Sequence, residues 1–436
     1  MVKWGILGTG MIARAFASSI KDSQNSELKY VASRSKESSN KFAEKYNCEA
    51  IEGYDSLIDL EDFEALYIAT PHPQHFEFAL RALQKGKAVL CEKPMTMNST
   101  ESMILIEAAR KNNSLFMEAF MYRVHPQTEK IREIIKDYFL DEPLEIEASF
   151  GFKADVPKEH RLVNPELGGG SILDIGCYPM SMSRMVVGIQ EGKSFTNPTN
   201  LKSKGTLSEN NVDLFAEAKL EFSNGSSAQI SSSINQILPN KVIIKNQRTT
   251  LEVIEPWRCG EDVGRKSSIF LSHEGKKEEI QFNEPIGIFT FEIDHFSEVL
   301  LSGSIESNLV SHSDSHGNMI WLDTWRKSID VYYSEDKPTK REKQMGSFFE
   351  DKKSMPTSRI KGIDKELSRV VFGCDNQSDT NHAFAMFDYY FNKGGNVYDT
   401  AYIYNNGKSD RYLGDWIKAR NNRDEVVILG KGAHTP

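Results

Sequence analysis

The sequence predicts an α/β domain on a parallel sheet, then an α+β domain with a large antiparallel open sheet, then a short β-α-β-α-β segment. Three observations carry this reading. Strand and helix patterns alternate from Val2 to about Phe120, the texture changes to longer alternating runs from about Leu144, and a charged aperiodic stretch precedes a renewed α/β rhythm near Leu367. The expected divisions are 1–122, 123–335, a linker over 336–366, and 367–436.

Taken in order, "VKWGIL" is a strand, and Ile12 to Lys21 is a helix with Ile12, Phe16 and Ile20 as its apolar stripe. "LKYVAS" is the next strand, and a helix around Phe42, Ala43 and Tyr46 leads to the strand "ALYIAT". A helix through Phe76, Leu80 and Leu83 stops at Gly86 before the strand "KAVLC". Asn98 and Glu101 form a capping box for the helix that precedes "LFMEAF". In the second domain "LEIEASFGF" and "VDLFAEAKLEF" alternate as half-buried strands do, and Asn224-Gly225 joins the latter to "SSAQISSSI" as a hairpin. Helices over "FEIDHFSEVLLSG" and "HGNMIWLDTWRKSIDVYY" close it, the second capped by Ser313 or Asp314.

Composition narrows the function classes. A chain of 436 residues with 39% hydrophobic content and net charge −9 is an ordinary globular protein without a basic field, so nucleic acid is not an expected partner. "MVKWGILGTGM" runs straight into a strand, and no apolar run reaches membrane-spanning length, so a cytoplasmic protein without a membrane partner is expected. Five scattered cysteines read as reduced thiols. The histidines and aspartate of "SHSDSHG" suit a helix start better than a metal, and no metal site is expected.

Gly8-Thr9-Gly10-Met11-Ile12-Ala13 follows a strand and opens a helix. Gly8 permits the tight turn, Gly10 lets a pyrophosphate approach the helix N-terminus, and Ala13 lets the helix pack on the sheet. This is the fingerprint of a Rossmann dinucleotide site. After the second strand, where NAD-binding proteins carry an acidic residue, stand Ser33-Arg34-Ser35; a guanidinium and hydroxyls suit a 2′-phosphate, so NADP(H) is expected ahead of NAD(H). "CEKP" ends a strand and aims Lys93 at the crevice, while Asp174 and Tyr178, four apart in "ELGGGSILDIGCYPM", share a face if that stretch is helical, with Pro179 a source of kinking. His72 and His75 sit at a strand-to-helix turn above the crevice, where ligand contact and capping are both open.

These motifs, with "EAFMYRVHP" and "HRLVNPELGGGSILDIGCYP", resemble the glucose-fructose oxidoreductase/inositol dehydrogenase family, and most of all its dihydrodiol and sugar dehydrogenase branch, over about residues 1 to 335. The resemblance implies an NADP-dependent oxidoreductase moving a hydride between nicotinamide and a carbinol or carbonyl carbon of a sugar, polyol or cyclic diol. It implies Lys93, Asp174 and Tyr178 as catalytic residues, and Gly8, Gly10, Met11, Ile12, Ser33, Arg34, Thr70, Pro71, His75 and Glu92 with Lys93 around the cofactor. Arg123, His125 and Arg161 match pocket-lining stretches of the family, and its open sheet implies a homo-oligomer. Inositol dehydrogenases usually carry His where this chain has Tyr178, which turns the expected substrate away from inositol. The proton carrier is either Tyr178, its phenol made more acidic by the Lys93 ammonium, or Lys93 itself. An NAD-assisted glycoside-cleaving enzyme and a non-catalytic cofactor sensor are the alternatives on the same fold.

Residues 367–436 resemble the start of an aldo-keto reductase, with Asp399, Tyr404 and Lys431 at the positions of that family's aspartate, tyrosine and lysine. Asn405-Asn406 interrupt its pattern. About 250 residues make a (β/α)₈ barrel, so the expectation here is a partial module whose apolar strand residues, Val370 to Phe372, Val397 and Val426 to Leu429, lack a barrel to cover them.

Overall fold

The computed structural model describes residues 1–259, 266–338 and 355–432, which fall into two compact units, Met1–Tyr333 and Ser334–Pro436. In the first unit β1 (Val2–Leu7), β2 (Ser26–Ser33), β3 (Glu49–Glu52), β4 (Ala65–Ile68), β5 (Ala88–Glu92) and β6 (Phe116–Ala119) form one sheet in the order β3-β2-β1-β4-β5-β6. Every pair in it is parallel. Ile6, Val31, Leu66, Tyr67, Val89 and Leu90 are fully buried because helices cover both faces, as a parallel sheet requires. The order reverses between β1 and β4, and a crevice opens at the C-terminal ends of the strands there.

Helix α1 (Met11–Ser19) starts directly after the glycine turn, and a 3₁₀ turn, Ile20–Asp22, completes the stretch expected as one helix. The capping box on the helix Ser99–Lys111 forms: Glu101 N–H donates to Asn98 Oδ1 at 3.0 Å, and Glu101 Oε2 reaches back to accept from Met97 N–H at 3.1 Å.

The second sheet has eight strands: β7 (Glu145–Gly151), β8 (Asn200–Leu207), β9 (Asp213–Glu221), β10 (Ser227–Ser233), β11 (Lys241–Lys245), β12 (Thr249–Ile254), β13 (Ser267–His273) and β14 (Lys276–Phe282), in the order β14-β13-β12-β11-β7-β10-β9-β8. The expected hairpin pairs β9 with β10, and Gly225 takes φ +85° in its turn. The sheet is not wholly antiparallel, because β7 and β10 run parallel. A long crossover through the helix Cys177–Gln190 lies between them, and only such a connection permits a parallel pair. Ile146, Ala148, Leu220, Ala228, Ile230, Val242 and Leu251 bury the face turned to the helices. The last helix of the unit, His312–Lys327, starts four residues earlier than "HGNMI" suggests, and its cap is Ser311, whose side chain accepts from Asp314 N–H at 3.2 Å.

In the second unit the strands Phe372–Gly373, Val397–Ala401 and Val427–Lys431 make a parallel three-stranded sheet with Val397–Ala401 central. The helices Thr380–Asn392 and Lys408–Arg420 connect these strands. Phe387, Tyr398, Trp416, Leu413 and Val426 form the core. The strand expected over "SRVVFG" is shorter, and Glu366–Ser368 pairs instead with Thr357–Arg359 as an antiparallel ladder across the boundary between the stretch read as linker and the segment after it. Linker residues 339–354 lie outside the described residues. Val397 and Val426 are buried, whereas Val370, Val371, Ile428 and Leu429 are exposed.

Candidate active site

The crevice is a cavity of about 720 Å³ that runs from the glycine turn to Lys93 and Asp174. Gly8 sits at φ +110°, and a Cβ there would come within 2.6 Å of the Ala69 carbonyl oxygen, so both conformation and space demand glycine. A Cβ on Gly10 would meet nothing within 4 Å, which leaves open space over the start of α1. No side chain caps that helix, so its first backbone N–H groups face the cavity unsatisfied, the arrangement that receives a pyrophosphate. Met11 and Ile12 line the same end. The residues present therefore fit a dinucleotide.

Ser33 and Arg34 line the cavity at the end of β2, together with Ser35, Ser38 and Tyr54. Ser35 caps the following helix, Lys36–Tyr46, by accepting from Ser38 N–H at 3.3 Å. Burial pushes the Tyr54 phenol up, and the nearby Arg34 pulls it back, which places that guanidinium beside the Tyr54 hydroxyl. Sequence reasoning missed Thr9, Tyr54 and Leu167 as wall residues. Tyr54 in particular carries no local signal, since its place depends on the strand order.

Thr70 and Pro71 stand at the turn after β4 and line the cavity. The Thr70 hydroxyl has no hydrogen-bond partner among the described residues, as an atom awaiting a ligand would not. His75 also lines the cavity, but its ring nitrogens lie 2.9 Å from the Pro94 and Thr70 carbonyl oxygens, and burial lowers its pKa to about 4. As a neutral ring it donates to one of these carbonyls while its other nitrogen only abuts the second.

At the far end, Asp174 gathers three basic side chains. Its Oδ1 accepts from Arg161 Nη1 at 2.9 Å and lies 3.7 Å from Lys93 Nζ and 4.0 Å from His72 Nε2. Burial alone would push this carboxyl up, but the Lys93 and Arg161 charges outweigh it and hold it well below the usual carboxylate range. Lys93 also donates to the Asp174 backbone oxygen at 2.5 Å. His72 is neutral, brought down to about 3 mainly by burial, with its Nδ1 3.0 Å from the Gly168 oxygen. Asp174 sits in a π-helical turn, Ile172–Gly176, that runs without a break into the helix Cys177–Gln190, so Pro179 lies inside a continuous helical stretch, where its missing N–H leaves a carbonyl of the preceding turn without its helical donor.

Tyr178 stands next to Lys93, as expected: its ring is buried, and Lys93 Nζ lies over it, 5.3 Å from the centroid. Burial, reinforced by the negative groups around it, pushes the phenol well above its ordinary value. No described residue hydrogen-bonds its hydroxyl. Phe120, Tyr122, Phe150 and Trp257 surround the ring.

Arg123 and His125, expected at the substrate wall, do not line the cavity. Arg123 is buried, pairs with Asp314 Oδ2 at 2.8 Å and donates to Ser181 Oγ and the Leu309 oxygen. His125 is a helix cap whose Nδ1 accepts from Gln127 N–H at 3.1 Å. In the second unit the three expected residues do meet: Lys431 Nζ donates to Asp399 Oδ2 at 2.8 Å and to the Tyr404 hydroxyl at 2.5 Å. Those contacts raise the lysine to about 12.

A switch-point crevice with a glycine turn at one end and a lysine–aspartate pair at the other defines a nicotinamide-dependent oxidoreductase. Residues 2–120 match the model of the "Oxidoreductase family, NAD-binding Rossmann fold" (GFO_IDH_MocA), residues 128–253 that of the "GFO/IDH/MocA C-terminal domain", and residues 370–436 that of the "Aldo/keto reductase family". A trans-1,2-dihydrobenzene-1,2-diol dehydrogenase of Xenopus tropicalis is 32% identical over 337 residues, covering 76% of this chain and 99% of that protein. The protein of that name from Homo sapiens is 29% identical, with 77% and 99% covered. Among solved structures, a 3-ketoreductase from Actinomadura kijaniata in complex with NADP has TM-score 0.67 at 24% identity, covering 76% of this chain and 99% of that one. An aldose-aldose oxidoreductase from Caulobacter crescentus has TM-score 0.67 at 23% identity, covering 75% and 97%. The chain belongs to the Gfo/Idh/MocA family of oxidoreductases.

Proposed function

We propose that the protein is an NADP(H)-dependent dehydrogenase or reductase that moves a hydride between nicotinamide and a CH–OH or C=O carbon of a sugar, polyol or cyclic diol. The observation that carries this reading is the single cavity joining the open helix start at Gly10 to the Lys93–Asp174 pair. The dihydrodiol and sugar activities in the names of its relatives support the substrate class. Arg34 with Ser33 and Ser35 would hold the 2′-phosphate, and the Gly8–Ile12 turn the pyrophosphate.

When bound, the nicotinamide supplies the hydride chemistry. The ammonium of Lys93, at the cavity wall, would hydrogen-bond the reacting oxygen and exchange its proton. Asp174, kept ionised, orients Lys93 and Arg161 toward the substrate. Tyr178, as a neutral phenol beneath Lys93, would support its placement and offer an O–H donor rather than a base. A second copy would cover the outer face of the eight-stranded sheet, where Phe270 is exposed. A reducing compartment such as the cytoplasm would keep the five free thiols reduced.

The test is a dehydrogenase assay with NADP⁺ and NAD⁺ over a panel of aldoses, polyols and cyclic trans-diols. The reading requires substrate-dependent reduction of NADP⁺ by at least one member; no reduction of either cofactor, and no oxidation of NADPH by the matching carbonyls, would refute it.

A further inference from the structure

Glu92 ends β5 in the cavity wall beside Lys93. Its Oε1 accepts a hydrogen bond from the Tyr67 hydroxyl and its Oε2 one from Lys93 N–H at 3.2 Å. Tyr67 is fully buried and stacks on Phe16 with ring centroids 3.8 Å apart, so its hydroxyl is fixed on Glu92. Behind them lies Glu292 of the helix Ile288–Leu301, also fully buried, and neither of its carboxyl oxygens has a partner among the described residues.

The groups that face Glu92 come from several elements: Lys93 and the Cys91 thiol from its own strand, Tyr67 from β4, Arg161 from the loop after β7, Tyr178 from the helix after it, and Glu292. Burial raises the Glu92 carboxyl above its ordinary value, and Lys93 and the Tyr67 hydroxyl draw it part of the way back. Glu292 stands far higher, since burial and the charge of Glu92 act on it in the same direction, so it is neutral.

We propose, resting on the reading of the cavity as a nicotinamide site, that Glu92 is a cofactor-linked proton acceptor, held in place by Tyr67 and backed by the buried Glu292. Its carboxylate faces the end of the cavity where an oxidised ring carries a positive charge and a reduced ring carries none. Alcohol oxidation transfers one hydrogen with two electrons to the ring and leaves one proton from the hydroxyl. Lys93 passes a proton to Glu92 and takes the hydroxyl proton in its place as the ring loses its charge, so a carboxylate beside a cation becomes a carboxylic acid beside a neutral ring. In the reverse direction the carboxylic acid returns the proton. Charge inside the filled cavity is then the same before and after the reaction, which avoids leaving an unpaired buried carboxylate.

The experiment counts protons taken up by the full-length protein on adding NADPH or NADP⁺, using an indicator dye in weak buffer from about pH 5 to pH 8. Binding is followed in the same samples by tryptophan fluorescence. NADPH should bind with up to about one more proton per chain than NADP⁺, the 2′-phosphate being common to both and cancelling in the difference. Glu92→Gln should abolish the difference. Tyr67→Phe should move it to higher pH, because the carboxylate loses a donor, and Glu292→Gln should leave it unchanged. Equal proton counts in protein that binds both forms would overturn the proposal, as would a difference that survives Glu92→Gln. Loss of the difference in Glu292→Gln alone would put the proton on Glu292 and overturn the assignment. Failure of the wild type to bind either form would overturn the cavity reading as well.

Discussion

Arg34, in the turn after β2, and Tyr54, at the start of the helix Tyr54–Ile58, meet at the wall of the cofactor cavity, the guanidinium beside a half-buried phenol. In the NADP(H) reading proposed above, the Arg34 cation binds the 2′-phosphate. Arg34→Ala should therefore weaken NADP(H) by about 1.5 to 3 kcal/mol, roughly 10- to 150-fold in Kd, as loss of a charge-assisted hydrogen bond does. NAD(H), which lacks the phosphate, should change little. Fluorescence titration with both cofactors checks this, and equal losses would remove Arg34 from the phosphate site.

The pH dependence of stability should carry a signature of Glu118. This buried carboxyl accepts from Met95 N–H at 2.9 Å, and burial pushes it up to about 7. A raised carboxyl keeps its proton in the folded chain after the unfolded chain has lost it, so it favours unfolding increasingly as pH rises from about 4.5 toward 7 and by a constant amount above. The full effect is on the order of 3 kcal/mol. Glu118→Gln should then gain stability relative to wild type between pH 5 and pH 8 in urea titrations. A difference independent of pH would contradict the assignment. Asp174 has the opposite sign: its folded carboxyl is depressed, so its contribution is present at neutral pH and is lost only on acidification below the usual carboxylate range.

Ending the chain after Pro338 should preserve the cofactor-dependent activity, because the cavity and its supports belong to residues before that point. The cut must spare Tyr333, whose hydroxyl donates to the Gly169 oxygen at 2.6 Å beneath the glycine-rich segment. Tyr404→Phe should likewise leave that activity unchanged, although it removes the hydroxyl that Lys431 contacts. Steady-state rates of the shortened chain and of the point variant decide both; abolished turnover in Tyr404→Phe would move the working site into the second unit.

The parts of this molecule legible in the sequence are those written in short spans. Gly8 and Gly10 announce a turn because their conformation is local, and Asn98 with Glu101 announce a cap for the same reason. Arg123 and His125 were placed wrongly because a motif does not say which way a side chain turns. The partner of Arg123 is Asp314, which only the folded chain brings near. The parallel β7–β10 pair depends on a long crossover, and the Thr357–Arg359 strand, exposed throughout, has no apolar alternation to reveal it. The environment of Tyr178 was legible only in part: the ammonium expected beside it is there, over the ring face, while the burial that raises its phenol is set by residues distant in sequence.

The central claim is that Lys93, held by Asp174 at the end of the cofactor cavity, handles the reacting oxygen. Its most direct test is single-turnover reduction of bound NADP⁺ by a substrate of the wild type, measured in Lys93→Met. The account predicts unchanged NADP⁺ affinity with hydride transfer slowed by roughly a hundredfold or more, the scale of a lost acid–base group. Hydride transfer at the wild-type rate in Lys93→Met would contradict it.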